Sequence, residues 1–178
     1  AADQPLFTAL PSALTGIRFS NQLTETEALN ILNYEYYYNG GGVAAGDINN
    51  DGKADLYFTA NTGPNKLYLN KGDFQFQDIT RFAGVEGAGG WKTGVTMVDI
   101  NADGWLDIYV CHSGKLAAEF RKNELFVNNK DLTFTERAAE YGLDDNSCST
   151  QAAFFDFDRD GDLDMYLLNH NIVTYKNF

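Results

Sequence analysis

Short apolar runs separated by polar turns dominate the chain from about residue 41 onward. Runs such as "GGVAAG", "LYFTAN" and "KLYLN" are typical of short buried strands. The run "FQFQDI" alternates apolar and polar residues, which is typical of an outer strand with one face in solvent. Gly, Asn and Asp fill the connections between these runs. Helical periodicity is weak, and only residues 116–122 predict a short helical turn.

The same pattern occurs three times. An acidic stretch begins at Asp47 ("DINNDGKADLY"), at Asp99 ("DINADGWLDIY") and at Asp156 ("DFDRDGDLDMY"), with spacings of 52 and 57 residues. An apolar run precedes and follows each stretch. The later segments "NKLYLNKGDFQFQDIT" and "NELFVNNKDLTFTERA" match almost position for position. Each unit therefore predicts four strands, with the acidic loop between the first strand and the second.

A period of this length with four strands is typical of a β-propeller blade. We therefore predict an all-β fold, a β-propeller fragment with blades at 41–92 and 93–149 and an incomplete third blade at 150–178. Residues 1–40 are expected to lead into the propeller or to close on it. Because propellers close with about 4 to 8 blades, we expect the chain to be part of a longer protein.

The composition is that of a globular protein with cations as partners. Of the 178 residues, 44% are hydrophobic and 14% aromatic, which excludes a disordered chain. The formal net charge of -12 disfavours nucleic acid and anionic membranes as partners. No apolar run reaches the length of a membrane helix, so membrane insertion is not expected. The chain starts with Ala-Ala and no visible signal peptide, which indicates a processed or trimmed chain.

The acidic loops share the pattern Asp-x-[Asp/Asn]-x-Asp-Gly-x-x-Asp. Carboxylates this close repel one another, so their convergence on one point suggests a bound cation, and the glycine at position 6 permits the sharp turn. Hard oxygen ligands in this number suit Ca²⁺ better than Mg²⁺. An EF-hand needs a glutamate at position 12, where this sequence has Phe58, Val110 and Leu167. The pattern therefore predicts three strand-loop-strand calcium sites.

By analogy with other calcium loops, positions 1, 3, 5 and 9 would give side-chain oxygens and position 7 a backbone carbonyl. The third loop has four aspartates at the side-chain positions, so it should bind Ca²⁺ most tightly. The alternative, Asp/Asn-rich turns that make only backbone hydrogen bonds, is disfavoured by three copies with one spacing. The predicted side-chain ligands are Asp47, Asn49, Asp51, Asp55, Asp99, Asn101, Asp103, Asp107, Asp156, Asp158, Asp160 and Asp164, and the predicted carbonyl ligands are Lys53, Trp105 and Asp162.

At these residues the sequence resembles the FG-GAP/VCBS repeat family, whose integrin-α-type propeller blades carry strand-loop-strand calcium motifs. The phrases "YNGGGVAAGDINNDGKADLYF" and "WKTGVTMVDINADGWLDIYV" look like its bacterial exported branch, related to cartilage acidic protein. The resemblance covers roughly residues 35–178. Because "GGVAAGD" and "TGVTMVD" match the Phe-Gly and Gly-Ala-Pro signature of integrin blades only loosely, integrin-like ligand binding is not implied.

The predicted function is a calcium-binding propeller module of an exported or cell-surface protein that binds a protein or a glycan. The alternative is a part of a polysaccharide-degrading lyase or hydrolase, because fold alone does not separate the two. No catalytic residue is predicted, since no nucleophile context accompanies the histidines. Blade topology places the predicted binding segments on the face opposite the calcium loops, and these segments are 61–65, 86–92, 112–115, 144–149 and 170–172.

The remaining candidates favour structural roles. His112 and His170 are interpreted as loop or partly buried residues. The aromatic residues Tyr34, Tyr36, Tyr37, Tyr38, Trp91 and Trp105 are expected in the core or as blade caps more than in a sugar platform. A Cys111–Cys148 disulfide in an oxidising compartment is slightly favoured over two buried thiols. The unpartnered face of the last blade predicts self-association of the fragment.

Overall fold

The computed structural model describes residues 6–171 and shows an all-β chain of antiparallel sheets. Within this range two sheets have four strands and one has two, and consecutive strands are paired within each sheet. The four-stranded units predicted from the sequence are confirmed. The strands are β1 Val43–Gly46, β2 Asp55–Phe58, β3 Lys66–Gly72 and β4 Gln75–Asp78; β5 Trp91–Val98, β6 Asp107–Ser113, β7 Glu124–Asn128 and β8 Phe134–Glu136; and β9 Ser149–Phe155 and β10 Asp164–Asn169.

Between residues 6 and 171, helical structure is confined to three single turns. A 3₁₀ turn at Ala118–Phe120 lies inside the segment 116–122 that predicts one. Two further turns, α1 at Ser12–Thr15 and α2 at Thr80–Ala83, have no clear sequence signal. No helix in the described part of the chain is long and apolar enough to span a membrane. Residues 1–5 and 172–178 lie outside the description, so the expected continuation of the third unit is not described.

The sheets pack against one another in chain order. One apolar core joins the first and second sheets, and a second core joins the second and third sheets. Strand β6 serves both cores, because Ile108 and Val110 belong to the first and Tyr109 and Cys111 to the second. A strand buried on both faces places apolar residues at consecutive positions, which explains why residues 108–111 of β6 do not alternate with polar ones.

Side-chain bonds also connect neighbouring sheets. The amide nitrogen of Asn128, at the end of β7, donates to the carbonyl of Ile48 in the first unit at 2.8 Å. The hydroxyl of Thr93 in β5 donates to the carbonyl of Ser149 in β9 at 2.7 Å. Strand β5 thus lies between β1 and β9, with the first strands of the three units side by side.

A tyrosine two residues after each of the first two acidic loops closes its repeat by donating to a carbonyl at the end of that repeat. The hydroxyl of Tyr57 donates to the carbonyl of Val85 at 2.7 Å and accepts from Nδ2 of Asn65 at 2.9 Å. Its counterpart Tyr109 makes the same bonds with the carbonyl of Leu143 and with Asn123, both at 2.9 Å. Burial raises the pKa of both tyrosines, so both hydroxyls stay neutral donors.

The N-terminal segment packs on the outer face of the first sheet. The ring of Phe19 stacks on Phe58 with centroids 5.0 Å apart, and the backbone amide of Arg18 donates to the hydroxyl of Tyr68 at 3.2 Å. Further along, Tyr34 and Tyr37 form a buried cluster with Trp91 at the start of β5. The interpretation of these three aromatic residues as core is confirmed.

The predicted Cys111–Cys148 disulfide is wrong for this structure, in which both cysteines are buried free thiols. The side chain of Cys111 belongs to the apolar core between the second and third sheets. The sulfur of Cys148 instead accepts a bond from Nη1 of Arg121 at 3.5 Å. Burial raises the pKa of Cys111 to about 12, which leaves this thiol protonated and unreactive at neutral pH.

Tyr57→Phe should destabilise the protein by about 1–3 kcal/mol, because it leaves the buried carbonyl of Val85 and the amide of Asn65 without a partner. The matched control is Tyr166→Phe at the same repeat position, where the side chain is 64% exposed rather than 0%. The control should stay within about 0.5 kcal/mol of the parent. Urea unfolding monitored by circular dichroism measures both, and equal losses would contradict the closing role of Tyr57.

Candidate functional site

The three acidic loops connect the first and second strands of their sheets and contain all the predicted ligand residues. Their backbones share one shape. The fourth residue has a left-handed φ of 58° in Asn50, 55° in Ala102 and 65° in Arg159, and the sixth-position glycines have φ values of 84°, 85° and 98°. The glycines follow from the sequence pattern. The left-handed fourth position does not, because Ala and Arg rarely adopt that conformation.

The first aspartate of each loop organises the turn through backbone amides. The carboxylate of Asp47 accepts from the amides of Asp51 at 3.1 Å and Gly52 at 2.7 Å. Asp99 accepts from Asp103 and Gly104 at 2.9 and 2.8 Å, and Asp156 accepts from Gly161 at 3.2 Å. These bonds hold each loop in its curled form. Each carboxylate oxygen has further lone pairs, so the same groups remain available to a cation.

The ninth-position aspartate fastens the loop to its sheet. Asp55 is fully buried and accepts from the amide of Ile48 at 3.0 Å and from the amide of Asn70 in β3 at 2.7 Å. Asp107 repeats this arrangement with Ile100 and with Asn128 of β7, at 3.0 and 2.8 Å. The sequence predicts these residues only as ligands. The signal for the second role is the asparagine that ends "LYLN" and "LFVN".

The third loop repeats part of this arrangement. Asp164 accepts from the amide of Phe157 at 2.8 Å, as the ninth position does in the other two loops. One carboxylate oxygen from each of Asp156, Asp158 and Asp164 lies within 4.8 Å of the other two. Because Ca²⁺ binds oxygen at about 2.3–2.6 Å, two ligands on opposite sides of one ion are separated by about 5 Å. This trio therefore suits a calcium ion in donor type and in spacing.

The electrostatics of the first two loops also suit a cation. Burial raises the pKa of Asp55 and of Asp107, and the backbone amides only partly offset this. At the fifth position, Nζ of Lys53 lies 3.0 Å from Asp51, and Nζ of Lys130 lies 3.3 Å from Asp103. The hydrogen bond from Lys53 lowers the pKa of Asp51. Positive groups thus already contact the carboxylates that would face a metal.

The seventh-position residues use their amides in the same way in all three loops. The amides of Lys53, Trp105 and Asp162 donate to the fifth-position carboxylate of their own loop at 2.9, 3.0 and 3.2 Å. Their carbonyls as metal ligands stay a prediction. Nδ2 of Asn50 donates to the carbonyl of Gly104 at 3.0 Å, so the first and second loops lie side by side.

The predicted binding face at the other end of the strands contains many structural contacts. Nε2 of the buried His112 lies 2.9 Å from Glu124, whose second oxygen accepts from the amide of Ala88 at 2.8 Å. Nζ of the buried Lys92 donates to the carbonyl of Ala88 at 3.0 Å, and burial lowers the pKa of this lysine. His112 therefore has a structural role, but it is a fully buried residue of β6 and not the loop or partly buried residue that the sequence predicts.

The structure brings one pair together that sequence reasoning missed. Oγ of Ser113 and Nε2 of His170 are 2.6 Å apart, and the hydroxyl of Tyr34 lies 3.3 Å from Oγ and 3.2 Å from Nε2. These residues are far apart in sequence, so no local spacing indicates the contact. Ser113 and Tyr34 are buried, whereas His170 is half-buried.

Comparison with known proteins identifies repeats of one type. The profile of the FG-GAP-like repeat family matches residues 47–110 and 116–167. Cartilage acidic protein 1 from Xenopus tropicalis is 32% identical over 145 residues, which cover 82% of this chain and 21% of that protein. Cartilage acidic protein 1 from Homo sapiens is 38% identical over 72 residues, or 40% of this chain and 11% of that protein. The chain thus spans about a fifth or less of the length of these relatives.

Asp107→Asn should destabilise the protein by about 1–3 kcal/mol even in excess chelator, because the new amide group would face a backbone N–H that now has a carboxylate acceptor. The matched control is Asp103→Asn in the same loop, where the carboxylate is exposed and the loss should be smaller. Urea unfolding in chelator measures both variants. An Asp107→Asn variant as stable as its control would refute the fastening role of the ninth position.

Proposed function

Because the chain belongs to the FG-GAP-like repeat family, we propose that it is a calcium-stabilised β-propeller module of an extracellular or cell-surface protein, with a binding or scaffolding role. The observation that carries the proposal is the acidic loop itself. Three loops share one nine-residue spacing and one backbone shape, and their carboxylates are held in place by backbone amides.

Each loop would hold one Ca²⁺ through the predicted oxygens at positions 1, 3, 5, 7 and 9. The ion supplies positive charge that relieves the repulsion among the aspartates and the cost of burying Asp55 and Asp107. The residues of the chain preform the site, so binding should stabilise the folded state. The four aspartates of the third loop favour the tightest binding there.

The propeller assignment is supported by the serial packing of the sheets and by what the last sheet leaves uncovered. Phe155, Tyr166 and Leu168 of the third sheet are 45%, 64% and 50% exposed. In the second sheet, the counterpart of Tyr166 is the buried Tyr109. We infer that a further sheet of the same type covers this face in a longer chain, and that the isolated fragment self-associates through it.

In the described part of the chain one contact resembles catalytic machinery, and its burial favours a binding role over the polysaccharide-degrading alternative. The Ser113–His170 pair has the spacing of a nucleophile and its base. Ser113, however, is fully buried, so a substrate does not reach its hydroxyl in this structure. The pair is better explained as a contact that orients His170.

Calcium binding is tested by melting temperature and by terbium luminescence. Removing Ca²⁺ with a chelator should lower the melting temperature, and adding Ca²⁺ back should restore it, because an ion that binds only the folded state stabilises it. Trp105 lies at position 7 of the second loop, so bound Tb³⁺ should show emission excited through this indole, and Ca²⁺ should quench it by competition.

The control is Trp105→Phe, which should lose most of the sensitised emission and keep the calcium-dependent shift in melting temperature. Magnesium at the same concentration should restore little of the stability, because it demands tighter octahedral geometry. A melting temperature that responds neither to chelator nor to calcium would sink the proposal.

A further inference from the structure

A cavity of about 320 Å³ lies at the starts of the first strands of the three units. It is bordered by residues 40–42 before β1, by the start of β5 and by Thr150 and Gln151 of β9. Tyr34, Tyr36 and His170 cover it from the side. The acidic loops follow the other ends of β1, β5 and β9, so the cavity and the candidate calcium sites are at opposite ends of the same strands.

Glycines allow close backbone contacts at the border of this cavity. A Cβ atom on Gly41 would collide with the carbonyl oxygen of Thr59, and one on Gly94 would collide with that of Thr150. Only glycine lets the backbone approach this closely at these two positions, and neither glycine contributes a side chain to the cavity. The indole of Trp91 closes one wall.

The lining combines aromatic rings with uncharged polar groups. Among residues 6–171, no Asp, Glu, Lys or Arg side chain contributes to this lining. The half-buried ring of Tyr36 lies 4.3 Å from the ring of His170, which Ser113 fixes through its 2.6 Å bond. The hydroxyl of Tyr36 and the side-chain amide of Asn39 make no hydrogen bond to any residue in the described range 6–171. They are therefore free to donate to, or accept from, a ligand.

We propose that this cavity binds a neutral sugar residue of a glycan. Ligand sites typically pair apolar and aromatic walls with a few placed polar groups, and a sugar ring presents hydroxyls to the latter and C–H groups to the former. The described part of the lining has no Lys or Arg side chain, and together with the net charge of -12 this disfavours acidic sugars and other anions. The inference rests on the proposed binding role and names its ligand class.

The test uses tryptophan fluorescence, because the chain has 2 tryptophans. Trp105→Phe leaves Trp91, in the wall of the cavity, as the single indole. Glucose, galactose, mannose, fucose and N-acetylglucosamine are titrated separately to roughly 50 mM, and at least one should give a saturable change with a Kd near the millimolar range. Glucuronate is the anionic comparison and should bind at least tenfold more weakly.

Two variants locate the binding. Tyr36→Ala should weaken the sugar at least tenfold, and Asn39→Ala, at an exposed position that tolerates change, should weaken it at least threefold. Tyr38→Ala is the matched control, because Tyr38 is 62% exposed and does not border the cavity. Circular dichroism confirms that each variant is folded.

The proposal would be overturned if none of the five sugars gave a saturable change, or if glucuronate bound more tightly than they do. It would also be overturned if the Tyr36→Ala and Asn39→Ala variants bound the sugar with the same affinity as their parent protein. The result is independent of the calcium test. Trp91 fluorescence detects binding at one end of the strands, whereas terbium luminescence at the second loop detects binding at the other end. Sugar binding can therefore still be measured if the calcium proposal fails.

Discussion

A buried aspartate at the end of each of the first two acidic loops is the contact on which its unit depends. Asp55 and Asp107 each accept one amide from the start of their own loop and one from the third strand of their sheet. The loop, the second strand and the third strand therefore meet at one carboxylate. An anion without solvent contact is costly unless its charge is balanced. The amides balance part of it, and in our account a calcium ion balances the rest.

Packing between neighbouring sheets explains how the units combine. The second sheet is buried on both faces, and its β6 supplies alternate residues to the two cores. The tyrosine after each of the first two acidic loops then connects this packing to the end of its repeat, as Tyr57 does with Val85 and Tyr109 does with Leu143. A single sheet has no partner for such a face, so each unit needs a neighbour.

Much of this architecture is predictable from sequence, because the strands and loops are local features. The four-strand units, the acidic loops and the glycines at position 6 follow from spacing alone. The left-handed conformation of Ala102 and Arg159 does not follow, since it is imposed by the bonds around them. Long-range contacts do not follow from local sequence patterns either, as the stacking of Phe19 on Phe58 and the Ser113–His170 pair show. The predicted Cys111–Cys148 disulfide is wrong. The strand topology brings the two cysteines to one end of the sheets, but it does not determine the directions of their side chains.

The central claim is that the three loops are calcium sites built from one set of oxygens. A crystal structure of the chain grown with Ca²⁺, with anomalous data collected at long wavelength, tests this claim most directly. The account predicts one anomalous peak in each loop, within about 2.3–2.6 Å of oxygens from positions 1, 3, 5, 7 and 9. Loops that keep their curled shape at saturating calcium without any anomalous peak would contradict it, because the backbone amides alone would then account for the acidic pattern.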